Sequence, residues 1–188
     1  MSFPRIETAR LMMRPFAMDE VDDLHRLWID PGVRKFLWDD QVIPRDTAVA
    51  VVENSIDSFV NHGFGFWTIR FKNDPALIGF GGLRHFTEDG AEASEVEILY
   101  GVAPESWGKG VATEAAGAVL NYGFGECELA HIYAGADPPN VASFRVIEKL
   151  GMKFARKIVV NGVDVIYFAI CRDDYKIHLE LDSKLDVK

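Results

Sequence analysis

The stretch Glu97-Ile98-Leu99-Tyr100-Gly101-Val102-Ala103-Pro104-Glu105-Ser106-Trp107-Gly108-Lys109-Gly110-Val111-Ala112-Thr113-Glu114-Ala115 decides how this chain is read. It runs as a strand, a short glycine-containing loop and then a helix. Gly108 and Gly110 let the backbone turn tightly and leave no Cβ between the amide N–H groups and a ligand. The helix start behind them offers unsatisfied N–H donors and the positive end of the helix dipole. Such a place suits a phosphate or pyrophosphate, and Lys109 adds one mobile positive charge. A Gly-x-Gly at a helix start also serves simply to make a turn, and that reading stands beside the first. Two well-known phosphate loops are excluded. The GxxxxGK[ST] loop needs a hydroxyl residue after its lysine, and Lys109 is followed by Gly110. The GxGxxG dinucleotide fingerprint needs glycine where Thr113 stands. Gly79-Phe80-Gly81-Gly82 fails as well, because Leu83-Arg84-His85-Phe86 continues as strand with no helix to follow.

Outward from this stretch the periodicities alternate between strand and helix. Residues 11–16 read as a first strand, placed at a sheet edge because Pro15 cannot donate to a ladder. Asp19 is the expected cap of a helix carrying Val21, Leu24, Leu27 and Trp28 on one face. Residues 31–38 read as a loop. After Pro44 a second helix places Val49, Val52, Ile56, Phe59 and Val60 together and stops at Gly63. Residues 66–71 and 77–83 form an expected hairpin about Asn73-Asp74-Pro75, and 95–103 a third strand. A helix over 109–124, a strand over 131–136 and a helix over 140–150 follow. Strands 153–160 and 165–171 flank Asn161-Gly162, a favoured hairpin dipeptide. The charged tail from Arg172 gives no clear pattern. The expected fold class is therefore α/β, a mixed and mostly antiparallel central sheet flanked by helices.

The chain has 188 residues, 48% hydrophobic and 12% aromatic, which is enough to bury a core and fits one domain over 1–188. Its core is expected over about 6–171, with 172–188 as the tail. A net charge of −9 argues against a general nucleic-acid surface, which needs clustered cations. It suits an amine-bearing partner, and equally serves solubility alone. Cys127 and Cys171 form no CxxC pair, and the five histidines show no metal-binding spacing, so no metal is expected. No apolar stretch approaches the ~20 residues of a membrane span. A cytoplasmic protein is expected, as monomer or homodimer, with no membrane and no nucleic acid as partner.

Trp107, Gly110 and Ala112 match the pattern [Q/R/W]-x-x-G-x-[G/A], and the loop resembles the acyl-CoA pyrophosphate loop of the GNAT N-acetyltransferases. Further motifs agree in type and order. They are Thr8-Ala9-Arg10-Leu11, Arg14-Pro15-Phe16, Glu97-Ile98-Leu99-Tyr100, Thr113-Glu114-Ala115 and Asn140 to Gly151. The combination is similar to the branch that includes the ribosomal-protein N-terminal acetyltransferases. The resemblance implies acetyl-CoA as cosubstrate, lying where the sheet splays between strands 97–103 and 131–136. It implies pantetheine pairing along Leu99, Tyr100, Gly101 and Val102, and the pyrophosphate on Trp107, Gly108, Lys109, Gly110, Val111, Ala112 and Thr113. The reaction implied is direct acetyl transfer to a primary amine. The acceptor is a protein N-terminus or a small-molecule amine such as an antibiotic. A non-catalytic acyl-CoA sensor on the same fold is the rival from another class.

Three residues carry the chemistry of this reading. A carboxylate at Glu97 on an otherwise apolar strand is costly unless paired or functional. The reaction needs a base, since only a neutral amine attacks a thioester. Glu97 is either that base or the partner of an arginine. Asn140 is either a helix cap or a holder of the pantetheine arm. Ser143, three residues on, is implied to face the CoA sulfur and to assist the departing thiolate, because the tyrosine many relatives use one turn later is Ile147 here. His85 and His131 read as structural. Trp28, Phe36, Trp38, Phe64 and Trp67 read as core more than as acceptor pocket, and Asp39-Asp40 as a solvated pair. Acceptor specificity is expected in the loops 30–46, 84–95 and 160–164.

Overall fold

The computed structural model describes residues 3–87, 95–160 and 162–185, so parts of two expected specificity loops, 88–94 and 161, lie outside the described residues. Contacts divide the chain into two units: Met1–Arg84 with Ile98–Val119, and His85–Glu97 with Leu120–Lys188.

In the first unit the strands run in the order β1 (Ile6–Glu7), β2 (Leu11–Pro15), β3 (Phe66–Phe71), β4 (Gly79–Phe86) and β5 (Glu95–Val102). The pairs β1/β2, β2/β3 and β3/β4 are antiparallel. The strand carrying Pro15 is thus not the edge strand expected from its proline. β1 covers only Met12 and Met13, so the N–H that Pro15 lacks costs no bond on that side.

A 3₁₀ turn, Met18–Glu20, runs straight into α1 (Val21–Trp28), with Val21, Leu24, Leu27 and Trp28 buried as the periodicity predicts. Asp19 does not cap this helix. The capping position is Glu20, already helical in backbone, and no side chain bonds the free amides. The expected loop 31–38 is instead α2 (Pro31–Leu37). The Asp30 carboxylate accepts from the amides of Gly32 and Val33 at 2.8 and 3.3 Å, and Pro31 occupies the first turn, where its missing N–H is harmless. α3 (Arg45–His62) ends at Gly63 and buries Ala48, Val52, Ser55 and Phe59. Val60, expected on that face, is 57% exposed. The core of this unit joins Phe16, Val21, Leu24, Trp28, Val33, Val52 and Phe80.

In the second unit β5 pairs in parallel with β6 (His131–Ala136), Glu97 standing opposite Tyr133. β6 pairs antiparallel with β8 (Val163–Cys171), and β8 with β7 (Lys153–Val160), giving the order β5-β6-β8-β7. Gly162 stands in the expected turn between β7 and β8; Asn161 is outside the described residues. α4 (Val111–Gly125) begins in the first unit and ends in the second. α5 (Val141–Lys149) buries Ile147. The tail with no clear sequence pattern forms α6 (Arg172–Leu185). Its Tyr175 is buried beside Phe124, ring centroids 5.2 Å apart, an anchor that lies outside any local pattern. The mixed, mostly antiparallel sheet with helices is the architecture read from the sequence. No described helix is long and apolar enough to cross a membrane.

Candidate active site

In the first unit β5 leads through a 3₁₀ turn, Pro104–Ser106, into the glycine loop. Gly108 and Gly110 have φ of +71° and +75°, a conformation side chains resist, so both glycines are demanded by the backbone. A Cβ at Gly108 would meet nothing within 4 Å, and one at Gly110 only Arg10 Nη2 at 3.5 Å, so the loop's outer surface is open. α4 starts immediately at Val111, and its first bond runs from the Glu114 N–H to the Gly110 carbonyl. The amides of Val111, Ala112 and Thr113 precede that first intrahelical partner, which leaves them as donors at the helix start. Open surface, positive φ and a helix start together are features that suit a phosphate-bearing ligand.

Side chains hold this loop from behind. The Trp107 indole N–H donates to the Val102 carbonyl at 2.6 Å, tying the loop to the end of β5. Its ring also passes so close to α2 that a Cβ at Gly32 would lie 2.7 Å from it. Trp107 therefore acts as a strut here, although it remains 54% exposed. Leu99, Tyr100 and Gly101 are half-buried, and the Val102 carbonyl already accepts from Trp107. Lys109 is exposed, and its carbonyl accepts from Arg10. Burial opposes ionisation of Glu114. Hydrogen bonds from the Thr8 hydroxyl, the Arg10 amide and the Arg10 guanidinium outweigh it and hold the carboxyl below its ordinary range.

The second unit places Glu97 in a polar cluster set among aromatic rings. Glu97 is 3% exposed, and the Tyr167 hydroxyl donates to its Oε2 at 3.1 Å. Tyr167 is itself buried and stacks on Phe86 at 5.1 Å. The Arg156 guanidinium lies over the rings of Tyr133 and Tyr167, 5.0 and 5.6 Å from their centroids, and is ion-paired to Glu95. Burial pushes the Tyr133 phenol up, and the Glu95 carboxylate adds to the shift. Of the two acidic residues on this face of β5, Glu95 carries the Arg156 ion pair and Glu97 receives the tyrosine. Glu95, Tyr133, Arg156 and Tyr167 were not singled out from sequence. The available signal was the Glu95-x-Glu97 spacing, which puts two carboxylates on one face of a strand and demands donors opposite.

Asn140 caps α5, its Oδ1 accepting from the Ser143 N–H at 3.2 Å. Ser143 is half-buried one turn before the buried Ile147. His85 and His131 are exposed. Trp28, Phe64 and Trp67 are buried in the first unit, Phe36 and Trp38 half-buried, and Asp40 is ion-paired to Arg34 at 2.9 Å. Among the described residues no three His, Cys, Asp or Glu side chains are grouped to hold a metal ion.

Comparison with known proteins gives this geometry a context. The family model described as "Acetyltransferase (GNAT) domain" matches residues 10–153. The chain is 28% identical over 176 residues to the uncharacterized N-acetyltransferase YnaD of Bacillus subtilis (strain 168), covering 90% of this chain and 98% of that protein. A crystal structure of a GNAT-family acetyltransferase from Bacillus anthracis superposes with a TM-score of 0.73 at 27% identity, covering 90% of this chain and 99% of that one. The structure of RimL, a ribosomal L7/L12 α-N-protein acetyltransferase in complex with coenzyme A, shares the fold. Its TM-score is 0.74 at 17% identity, with 91% of this chain and 99% of that one covered.

Proposed function

Because the chain belongs to the GNAT family of acetyltransferases, we propose that it moves the acetyl group of acetyl-CoA directly onto a primary amine, with Glu97 taking the amine's proton. The observation that carries this reading is the buried Glu97 carboxylate, held by the hydroxyl of Tyr167, whose ring stacks on Phe86. Acetyl-CoA brings the activated thioester; the chain's own groups bind it and manage the protons.

In this reading the amides of Gly108 to Thr113, with Lys109, hold the pyrophosphate, and the fixed dipole of α4 favours its negative charge. Leu99 to Val102 and Asn140 hold the amide-bearing pantetheine arm, which takes up strand-edge groups that must find partners. An amine arrives mostly as ammonium at neutral pH, so a carboxylate beside it must accept a proton before the nitrogen can attack. Glu97 is that acceptor. Ser143 donates a hydrogen bond to the leaving sulfur, and this bond strengthens as negative charge develops there. The acceptor is a protein N-terminal amine, the substrate class suggested by the motif combination at residues 8–16, 97–115 and 140–151.

The test is release of free thiol from acetyl-CoA in the presence of N-terminal peptides and a panel of small amines. The parent protein turns over with at least one amine, and Glu97→Gln lowers kcat by about 10²–10⁴-fold, the usual span for loss of a general base. CoA binding with no thiol release for any amine would identify a sensor and overturn the reading.

A further inference from the structure

The motif Thr8-Ala9-Arg10 and the residue Glu114 have no role in the chemistry above, yet they are joined by a dense set of bonds. The Glu114 carboxylate accepts from the Thr8 hydroxyl at 2.5 Å, from the Arg10 amide at 3.0 Å and from Arg10 Nε at 2.6 Å. Arg10 Nη2 lies 2.6 Å from Glu114 Oε2 as well, and Arg10 Nη1 donates to the Lys109 carbonyl at 3.0 Å. The Thr8 hydroxyl also accepts from the Leu11 amide at 2.9 Å, which closes the turn between β1 and β2. One arginine thus grips the glycine loop at the carbonyl between its two glycines and at the carboxylate one turn into α4.

From this arrangement we propose that Arg10 and Glu114 form a clamp that positions the loop 108–112 for the CoA pyrophosphate. This rests on the pyrophosphate reading of that loop. The physical reason is conformational. Gly108 and Gly110 both sit at positive φ, and glycine has the widest backbone freedom to lose on ordering. A loop with two such residues points its amides at a ligand only if something holds it. Fixing the Lys109 carbonyl also fixes the Gly110 N–H, because the two belong to one planar peptide unit. Arg10 Nε and Nη2 both meet Glu114 Oε2 while Nη1 holds the Lys109 carbonyl, so one planar guanidinium fixes orientation as well as distance. Arg10 acts on the ligand through the loop; its charge is already matched by Glu114.

That division of labour makes a prediction opposite to the one simple charge counting gives. Removing the carboxylate of Glu114 from beside an anion site should tighten CoA binding if charge alone matters. If the clamp matters, Glu114→Ala weakens it. Calorimetry with CoA on folded proteins is the experiment, with thermal melts run in parallel. Arg10→Ala and Glu114→Ala each raise the Kd for CoA at least fivefold. Arg10→Lys does not restore affinity, because an ammonium keeps the charge and lacks the fork. Thr8→Val, which removes the bonds of the Thr8 hydroxyl to Glu114 and Leu11 and leaves the guanidinium contacts in place, gives a smaller rise of about twofold. The proposal is overturned if Glu114→Ala binds CoA as tightly as the parent or more tightly. It is also overturned if Arg10→Lys restores full affinity, or if the variants melt earlier with Kd unchanged. Gly110→Val run alongside separates the two layers. If it weakens CoA while the clamp variants do not, only the clamp falls. If it too leaves Kd unchanged, the pyrophosphate reading falls with it.

Discussion

Replacing Tyr167 by phenylalanine removes one oxygen and little else. The ring stays stacked on Phe86 at 5.1 Å and stays under the Arg156 guanidinium. What is lost is the hydrogen bond to Glu97 Oε2, and that carboxylate is 3% exposed, so solvent cannot replace the donor in place. A hydrogen bond to a charged group contributes about 1.5–3 kcal/mol. For a chain of this size ~1 kcal/mol moves the melting temperature by roughly 2–4 °C, so Tyr167→Phe melts about 3–12 °C earlier. A mutant cycle with Glu97→Gln isolates the bond. The amide can still accept from Tyr167, and only the charge-assisted excess disappears, a coupling of about 1 kcal/mol in urea unfolding. Tyr167→Phe also loosens the aim of the Glu97 carboxylate, and kcat falls by about tenfold, equal to ~1.4 kcal/mol on the barrier. If the two single substitutions add to within about 0.3 kcal/mol in the double, Tyr167 does not hold Glu97 and the reasoning fails.

Two further outcomes follow from the loop and from α5. Gly110→Val forces a β-branched residue to φ near +75° and sets a side chain on the open surface of the loop, its Cβ 3.5 Å from Arg10 Nη2. It lowers stability by about 1–2 kcal/mol and weakens CoA by at least about tenfold in calorimetry; unchanged affinity in the folded variant refutes the pyrophosphate assignment. Ser143→Ala lowers kcat by more than it raises the KM for acetyl-CoA, and by less than Glu97→Gln does, because a thiolate with a pKa near ~8.5 leaves without much help. A raised KM with kcat intact would limit Ser143 to holding the pantetheine arm.

What could be read from sequence were the features whose cause lies within a few residues. The strand–glycine loop–helix at 97–115, the burial of Val21, Leu24, Leu27 and Trp28, and the cap at Asn140 all follow from local spacing and local bonds. Misreadings arose where a local signal was overridden or anchored elsewhere. Pro15 looked like an edge marker until β1 proved to pair with the other half of its strand. Gly32 and the aromatics beside it hid α2, which Asp30 and Pro31 start. The charged α6 is held by Tyr175 against Phe124, some fifty residues earlier. The residue types needed for chemistry, Glu97 and Ser143 among them, were visible in the chain from the start. Their partners were not, because a hydrogen bond across a sheet carries no sequence period: Tyr167 lies 70 residues from Glu97, and Arg10 lies 104 from Glu114. Local spacing writes helices, turns and caps directly into the chain, whereas which donor meets which carboxylate is decided only when strand register and helix placement bring distant side chains within about 3 Å.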